Sequence, residues 1–236
     1  MTLTKLAIFD LDDTLLATRD AVLVARDCVL REFLGLETPL SLMAAQDVWQ
    51  RLTWYYSVDD RLGIFSALCH SMRLSAPDPP TCDLIGKRYA EVFASSLKLT
   101  SGAENVLDRL KSDGKLVGLV TTGKSGFQKE KIALTQLERW IPSTLTLIEE
   151  PGSPSAKPRP TSILNLCSSI NVKPSDVLAV GDRITDVIAG NLAGCRTVLY
   201  YGRSLEVRLP GPNGIIDLEI PDYSIRRLSD LLQFLD

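Results

Sequence analysis

One stretch near the N-terminus, Leu6-Ala7-Ile8-Phe9-Asp10-Leu11-Asp12-Asp13-Thr14-Leu15, joins a short apolar run to three carboxylates within four positions. Such a run is typical of a buried strand in a parallel sheet, and ligands bind at the carboxyl ends of these strands. Carboxylates gathered there repel one another unless a cation or a reacting proton is present. The stretch therefore indicates a chemical site, although Asp12 or Asp13 as a simple helix cap is an alternative.

The composition is that of an ordinary globular protein. The 236 residues are 45% hydrophobic and 23% charged, which allows one large core with or without a smaller module. The net charge is -3 and no cluster of Lys and Arg is present, so a nucleic-acid polymer is not an expected partner. The apolar run before Asp10 is too short for a signal-peptide core or a membrane span.

The cysteines also constrain the class of protein. Their number is odd and no two are close in sequence, which favours reduced thiols over a disulfide framework or a zinc site. We expect small buried hydrophobic side chains and a cytoplasmic protein. The five positions are Cys28, Cys69, Cys82, Cys167 and Cys195.

The pattern of apolar residues changes along the chain. The first half has helical spacing, and predicted helices span residues 18–34, 40–56, 58–73 and 81–97. The second half alternates between the two types of element. Its predicted strands span residues 116–121, 145–148, 177–180 and 197–200, and its predicted helices span 104–113, 160–170 and 184–193, with a last one near 224–235. Such alternation predicts right-handed crossovers and a parallel sheet.

The first strand needs partners for its backbone groups and so must join the sheet of the second half. The block of helices is then an insertion. We therefore predict an α/β core formed by residues 1–15 and 98–236 and an all-helical domain formed by residues 16–97.

Polar residues also follow other strands of the predicted sheet. Thr121 and Thr122 end one strand, and Asp182 and Asp186 follow another. Lys157 lies just before a helix that begins with proline. A carboxylate nucleophile, a hydroxyl, an ammonium and a pair of acids at one edge of a sheet suit phosphoryl transfer, which needs positioning and charge compensation.

These four motifs, in this order, resemble the haloacid dehalogenase superfamily. The resemblance is specifically to its subfamily I phosphatases, in which a helical cap is inserted between the first strand and the second motif. It implies a Rossmann-like parallel-sheet core with this cap, Mg²⁺ as cofactor, and a small phosphorylated metabolite as substrate. It covers nearly the whole chain.

The resemblance also implies roles for single residues. Asp10 would be the nucleophile that becomes an aspartyl phosphate, and Asp12 the general acid and base. Thr121 and Thr122 would contact the phosphate, and Lys157 would offset the negative charge around it.

The metal ligands implied by the resemblance are the side chain of Asp10, the backbone carbonyl of Asp12, and Asp182, with Asp186 in the metal shell. Asp13 departs from the pattern, since many members have glycine directly before the Thr of the first motif. Some phosphatases of the family have Asp or Asn there, so the departure leaves the assignment intact.

A second motif competes with this interpretation. Residues 118–125, Gly-Leu-Val-Thr-Thr-Gly-Lys-Ser, match the P-loop pattern of nucleotide triphosphatases, with Lys124 as its lysine. A P-loop glycine follows its strand, however, whereas Gly118 lies inside the apolar run 116–120. A triphosphatase would also leave Asp10 unexplained.

The inserted helices are expected to set substrate specificity by covering the site. Of the candidates, we expect His70 to be a partly buried helix residue and the aromatic positions to belong to the core of this domain. The candidates are Arg19, Asp20, Arg51, Trp54, Tyr55 and His70.

Three other activities fit less well. A phosphomutase would share the site and differ only in the acceptor of the phosphoryl group. A dehalogenase needs neither a metal nor an acid at the position of Asp12. A non-catalytic binding protein would not need intact acids at both metal-binding motifs.

Overall fold

The computed structural model of the protein describes residues 4–53, 55, 61–202 and 217–235. Contacts divide the chain into two compact units, one made of Met1–Ala17 with Lys98–Asp236 and one made of Thr18–Leu97. Within the described ranges, none of the helices combines the length and the apolar character needed to cross a membrane.

The first unit is built on a parallel sheet. Its strands are β1 Leu6–Phe9, β2 Leu116–Thr122, β3 Thr146–Glu149, β4 Val177–Gly181, β5 Arg196–Tyr200 and β6 Tyr223–Ile225. They lie in the order β3-β2-β1-β4-β5-β6, and every described pairing is parallel. The predicted α/β fold with a Rossmann-like sheet is therefore confirmed, and the first strand joins the second half of the chain as expected.

The α-helices are distributed over both units. They are α1 Thr18–Leu34, α2 Pro39–Leu52, α3 Arg61–Ser71, α4 Pro79–Ser96, α5 Ala103–Ser112, α6 Ser125–Leu134, α7 Thr161–Ser169 and α8 Ile184–Ala193. Short 3₁₀ helices span Leu137–Arg139, Ser143–Leu145, Pro174–Asp176, Asp217–Glu219 and Leu228–Phe234.

The register of β1 aligns the ends of the central strands. Leu6 is paired with Leu116 of β2 on one side and with Val177 of β4 on the other. All residues of β1 and β4 are buried, as expected for strands covered on both faces. Side chains of the sheet and of α7 and α8 form one hydrophobic core cluster. The residues that follow β1, β2 and β4 are thereby brought to one edge.

The second unit is a bundle of α1 to α4 with its own hydrophobic core. Trp49 contacts Phe65 edge to face, with ring centroids 5.1 Å apart, and stacks on Tyr89 at 6.1 Å. Tyr89 stacks in turn on Phe93 at 6.3 Å. Each such pair contributes about 0.5–1.5 kcal/mol beyond the burial of its area. Aromatic side chains from α2, α3 and α4 therefore join the helices of this unit.

The C-terminal region differs from the sequence prediction. Instead of one helix near residues 224–235, the chain forms β6 and then the 3₁₀ helix Leu228–Phe234. Tyr223 pairs with Val198, so β6 extends the sheet beyond β5. The backbone groups along the edge of β5 thus gain partners. A strand of three residues is too short to show a period of two in the sequence, which is why the prediction was wrong.

Candidate active site

The carboxylate of Asp10 lies at the end of the central strand. The Asp10 amide donates to the carbonyl of Val180 at 2.9 Å, which continues the pairing of β1 with β4. The Asp10 side chain is 11% exposed. The sheet backbone therefore holds this carboxylate at the edge where ligands bind in parallel sheets.

Two further acids approach Asp10 from the end of β4. Carboxylate oxygens of Asp10, Asp182 and Asp186 all lie within 4.8 Å of one another. Asp186 lies in the first turn of α8, and its Oδ2 accepts a hydrogen bond from the Arg183 amide at 2.9 Å. An acid is favoured there because the first amides of a helix lack partners within the helix and carry partial positive charge.

The end of β4 must be glycine for this arrangement to form. A Cβ atom at Gly181 would overlap the carboxylate of Asp186. The absent side chain thus lets Asp186 fold back against the strand and reach Asp10.

We expect Gly181→Ala to weaken Mg²⁺ binding by about tenfold or more, because residues that position metal ligands have effects of this size. Isothermal titration with Mg²⁺ measures the change. Gly126→Ala is the matched control, since a Cβ atom there meets no atom within 4 Å. Equal affinities of the two variants for Mg²⁺ would contradict the role given to Gly181.

An ammonium group lies among the acids. Lys157 Nζ donates to Oδ1 of Asp10 at 2.5 Å, to Oδ1 of Asp186 at 2.5 Å, and to the Val120 carbonyl at 3.1 Å. Its side chain is 9% exposed. The Lys157 amide donates to Oε2 of Glu149 at 3.0 Å, which ties the loop that carries the lysine to the end of β3.

The balance of charge within this cluster is negative. Burial raises the pKa of Asp10 to about 7, with Lys157 opposing and Asp186 adding to the shift. Burial, followed by the charges of Asp10 and Asp186, raises the pKa of Asp182 to about 8. Burial alone would lower the pKa of Lys157, but Asp10 and Asp186 outweigh it and raise that pKa above its usual value. One ammonium thus does not balance three ionised carboxylates, and the raised pKa values of Asp10 and Asp182 follow from burial and from this imbalance.

The donor set of this cluster fits Mg²⁺. Hard divalent cations prefer oxygen ligands, and Mg²⁺ commonly takes one or two carboxylates together with water and phosphate oxygens. Asp10, Asp182 and Asp186 supply only oxygens, and they lie close enough together to share one cation. A divalent cation would also compensate the excess negative charge of the cluster.

The carboxylate of Asp12 has two partners that the sequence analysis did not identify. Lys131 Nζ donates to its Oδ1 at 2.7 Å and its Oδ2 at 2.9 Å, and Gln128 Nε2 donates to Oδ2 at 3.0 Å. Lys131 and Gln128 lie on α6 and are buried. The available signal was their spacing of three residues, which places two polar side chains on the same helix face as the apolar Ile132.

The two threonines at the end of β2 have different partners. Thr121 is buried, and its Oγ1 accepts a hydrogen bond from Gln128 at 2.8 Å. Thr122 Oγ1 donates to Oε2 of Glu149 at 2.9 Å. The hydroxyl proton of Thr122 is therefore directed to Glu149, a third residue that the sequence analysis missed. This bond holds Glu149, and the phosphate contact expected of Thr122 stays a prediction.

The residues of the apparent P-loop are not arranged as one. Gly118 lies inside β2, where a Cβ atom would come within 2.7 Å of Leu166. This glycine thus allows close packing of α7 on the sheet. Lys124 is exposed just before α6, and the amide of Ser125 donates to Glu150 at 2.9 Å. The ammonium hydrogen-bonded to Asp10 belongs to Lys157 instead.

The specificity candidates of the helical unit differ in their surroundings. Arg19 and Asp20 are exposed at the start of α1, and Arg51 forms an ion pair with Asp47 along α2. Trp54 lies outside the described residues.

Two expectations about these positions were wrong. Tyr55 is 83% exposed, so it does not belong to the core of the helical unit. The core uses Trp49 and the aromatic residues around it instead. His70 is exposed at the end of α3 rather than partly buried.

Known proteins are similar to this chain in sequence and in fold. The chain is 28% identical over 235 residues to the glyceraldehyde 3-phosphate phosphatase of Pyrococcus furiosus, covering 98% of this chain and 93% of the relative. It is 26% identical to the phosphoglycolate phosphatase of Mannheimia succiniciproducens, covering 97% of each. The structure of the HAD-hydrolase YfnB of Bacillus subtilis, bound to magnesium, superposes with a TM-score of 0.70 at 21% identity over 99% of both chains.

A family model described as haloacid dehalogenase-like hydrolase matches residues 7–200, which include Asp10, Thr121, Lys157, Asp182 and Asp186. The match spans well over half of the chain, and it includes the motifs that suggested this resemblance in the sequence. The protein therefore belongs to the haloacid dehalogenase-like hydrolases.

Proposed function

We propose that this protein is a Mg²⁺-dependent phosphatase that hydrolyses a small phosphate monoester through an aspartyl phosphate on Asp10. The observation that carries the proposal is the buried ammonium of Lys157, hydrogen-bonded to Asp10 beside two further acids. A fixed cation next to a carboxylate offsets the charge of an incoming phosphoryl group. The phosphatases among the relatives support the same class of reaction.

In the first half-reaction a carboxylate oxygen of Asp10 attacks phosphorus, and the bond from phosphorus to the leaving oxygen breaks. Asp12 gives a proton to the leaving oxygen. The Oγ1 of Thr121 already accepts from Gln128, so the hydroxyl proton of Thr121 is left to donate to a phosphoryl oxygen. Lys157 offsets the charge between the phosphoryl group and Asp10.

In the second half-reaction Asp12 accepts a proton from a water molecule, which attacks phosphorus. The bond between phosphorus and Asp10 breaks, inorganic phosphate leaves, and the carboxylate of Asp10 is restored. Asp12 donates a proton to the leaving group in the first step and accepts one from water in the second, so one side chain serves both steps.

Asp10, Asp182, Asp186 and the backbone carbonyl of Asp12 would hold the Mg²⁺ ion. When bound, the ion supplies electrostatic stabilisation of the phosphoryl oxygens. Without it, three closely spaced acids face an anionic substrate, and Lys157 is the ammonium paired with two of them.

Removal of the metal should abolish phosphate release. We expect activity on p-nitrophenyl phosphate to vanish in EDTA and to return when Mg²⁺ is added in excess, because the cluster of acids repels an anion without a cation. Phosphate release is the measurement, and a sample treated with EDTA already saturated with Mg²⁺ is the control. Full activity of the metal-free protein would contradict the proposal and favour dehalogenase chemistry.

The substrate is proposed to be a small phosphorylated metabolite. A screen of Mg²⁺-dependent phosphate release over sugar phosphates, nucleotides, phosphoglycolate and inorganic pyrophosphate would identify it. Phosphomutase activity on the same site is the alternative, because it differs only in the acceptor. Transfer of phosphate to a second sugar hydroxyl without release of inorganic phosphate would favour the mutase.

The helical unit, Thr18–Leu97, is proposed to be the cap that selects the substrate. The motifs that carry the chemistry all lie outside it, and it has a hydrophobic core of its own. Selection by such a unit acts on the leaving group of the substrate and leaves phosphoryl transfer to the sheet edge.

Substitutions in the helical unit should therefore change the discrimination among substrates more than the rate of phosphate release from a simple aryl phosphate. We expect Arg19→Ala, Arg51→Ala and Tyr55→Ala to keep slow hydrolysis of p-nitrophenyl phosphate while their substrate profiles change. The profile over the same panel is the measurement, with Asp10→Asn as the inactive control. A common loss factor for every substrate would rule out a role in specificity.

The compartment is proposed to be the cytoplasm. All five cysteines are free, and all but Cys28 are buried. Free buried thiols are typical of proteins from reducing compartments. We propose neither a nucleic-acid nor a membrane partner, since the net charge is -3.

A further inference from the structure

Two buried polar side chains on α6 meet at the carboxylate of Asp12. The Lys131 side chain is 5% exposed, and Asp12 is the one carboxylate with which it pairs in the described part of the chain. Gln128 is 1% exposed. Burying a charge or an amide is costly unless it has partners. The Lys131 ammonium also lies 4.7 Å from the centre of the Phe127 ring, but the charge that compensates it is the carboxylate of Asp12.

The hydrogen bonds restrict how Asp12 is oriented. Lys131 spans both carboxylate oxygens, and Gln128 adds a second bond to Oδ2. Three hydrogen bonds from two donor groups restrict both side-chain torsions of Asp12. The side chain of Asp12 is 29% exposed. The carboxylate is therefore held in place and still accessible.

Gln128 also links Asp12 to Thr121. A carboxylate only accepts, so the amide nitrogen of Gln128 must face Asp12, and its second hydrogen goes to Oγ1 of Thr121. The neighbouring glycine makes room for this amide, since a Cβ atom at Gly123 would lie 2.7 Å from Gln128 Nε2. Thr121, Gln128, Lys131 and Asp12 thus form one connected polar network.

We propose that Lys131 and Gln128 are positioning residues that hold the carboxylate of Asp12 where it can reach the leaving oxygen. The proposal rests on the phosphatase function proposed above. In this proposal neither side chain contacts the substrate. Lys131 acts through Asp12, and Gln128 acts through Asp12 and Thr121.

Leaving groups of different basicity test this role. Phenyl phosphate releases a more basic phenolate than p-nitrophenyl phosphate and depends more on the proton from Asp12. We expect Lys131→Met to lower kcat/KM for phenyl phosphate by about 10²-fold and for p-nitrophenyl phosphate by less than about fivefold. Lys131→Arg should restore part of the loss, and exposed Lys129→Met on the same helix is the matched control. Equal losses on both substrates, or no loss, would overturn the proposal.

A double-mutant cycle separates positioning from a structural role. If Lys131 acts through Asp12, Lys131→Met should reduce the rate of an Asp12→Asn enzyme no further, whereas a general loss of structure would add to it. Gly123→Ala, which crowds the Gln128 amide, should show the same preference for p-nitrophenyl phosphate. If the losses of rate in the two single variants added up in the double variant, and every variant was folded, the inference would be refuted.

The cycle also shows which proposal fails. If Asp10→Asn remained active, the proposed function itself would be wrong. If Asp12→Asn lowered kcat/KM for both aryl phosphates by the same factor, the role of Asp12 as proton donor would be wrong. If Asp12→Asn lowered kcat/KM more for phenyl phosphate than for p-nitrophenyl phosphate and Lys131→Met did not, only the positioning role of Lys131 would be wrong.

Discussion

Asp10→Asn should abolish phosphate release, with a loss of at least about 10⁴-fold, because an amide cannot form the aspartyl phosphate. Asn has the same shape, so the packing around the end of β1 is preserved. The variant loses an ion pair to Lys157 but also loses repulsion from Asp182 and Asp186, and Lys157 keeps its bond to Asp186. We therefore expect the thermal midpoint to change by only a few degrees.

The measurement is phosphate release with saturating Mg²⁺, accompanied by a thermal melt of each protein. Asp113→Asn is the control, since its carboxylate pairs with Arg109 outside the acid cluster. Unchanged turnover of Asp10→Asn in a folded protein would disprove covalent catalysis by this residue. Trapping of labelled phosphate on the wild-type chain and its absence from the variant would support it directly.

The second large effect distinguishes two lysines. Lys157→Ala should lower kcat by about 10²–10³-fold, the size expected when a preorganised positive group is removed from a site of phosphoryl transfer. Lys124→Ala should change kcat by less than about threefold, because Lys124 is exposed and Lys157 supplies the ammonium at Asp10. A P-loop enzyme would give the opposite order.

Folding must be checked in the first of these variants. Lys157 is buried between Asp10 and Asp186, and removal of one partner from a buried ion pair costs about 3–5 kcal/mol. Rates are therefore compared below the thermal midpoint of Lys157→Ala, and saturating Mg²⁺ offsets part of the unpaired charge. If Lys124→Ala lost activity and a folded Lys157→Ala kept it, the proposed site would be wrong.

The order of elements was largely readable from the sequence. The predicted helix 18–34 and the predicted helix 184–193 coincide with α1 and α8, and the predicted strands fall within two residues of β2 to β5. These segments have a strong period or a continuous apolar run, so local pattern and tertiary structure agree. β6 was missed because three residues carry no such pattern, and its partner β5 lies more than twenty positions earlier in the chain.

The sequence predicted only those site residues that belong to motifs at the ends of strands or at the starts of helices. Asp10 and Asp182 were predictable because parallel strands end at one edge, which brings together residues far apart in sequence. Lys157 was predictable from its place just before a helix that begins with proline. The hydrogen bond from Thr122 to Glu149 was not predictable, since adjacent residues of a strand face opposite ways and the motif does not show which of them meets the neighbouring strand.

The sequence by itself determined the α/β class, the inserted helices and the acids and lysine of the edge, because apolar period and motif order are local properties of the chain. Only the tertiary structure decided what those groups touch. In the sequence, Lys131 looks like an ordinary charged residue of a helix. In the structure its buried ammonium donates a hydrogen bond to Asp12, 119 positions away. A partner at that separation is chosen by how α6 packs beside the sheet, and packing depends on the whole fold rather than on any window of residues.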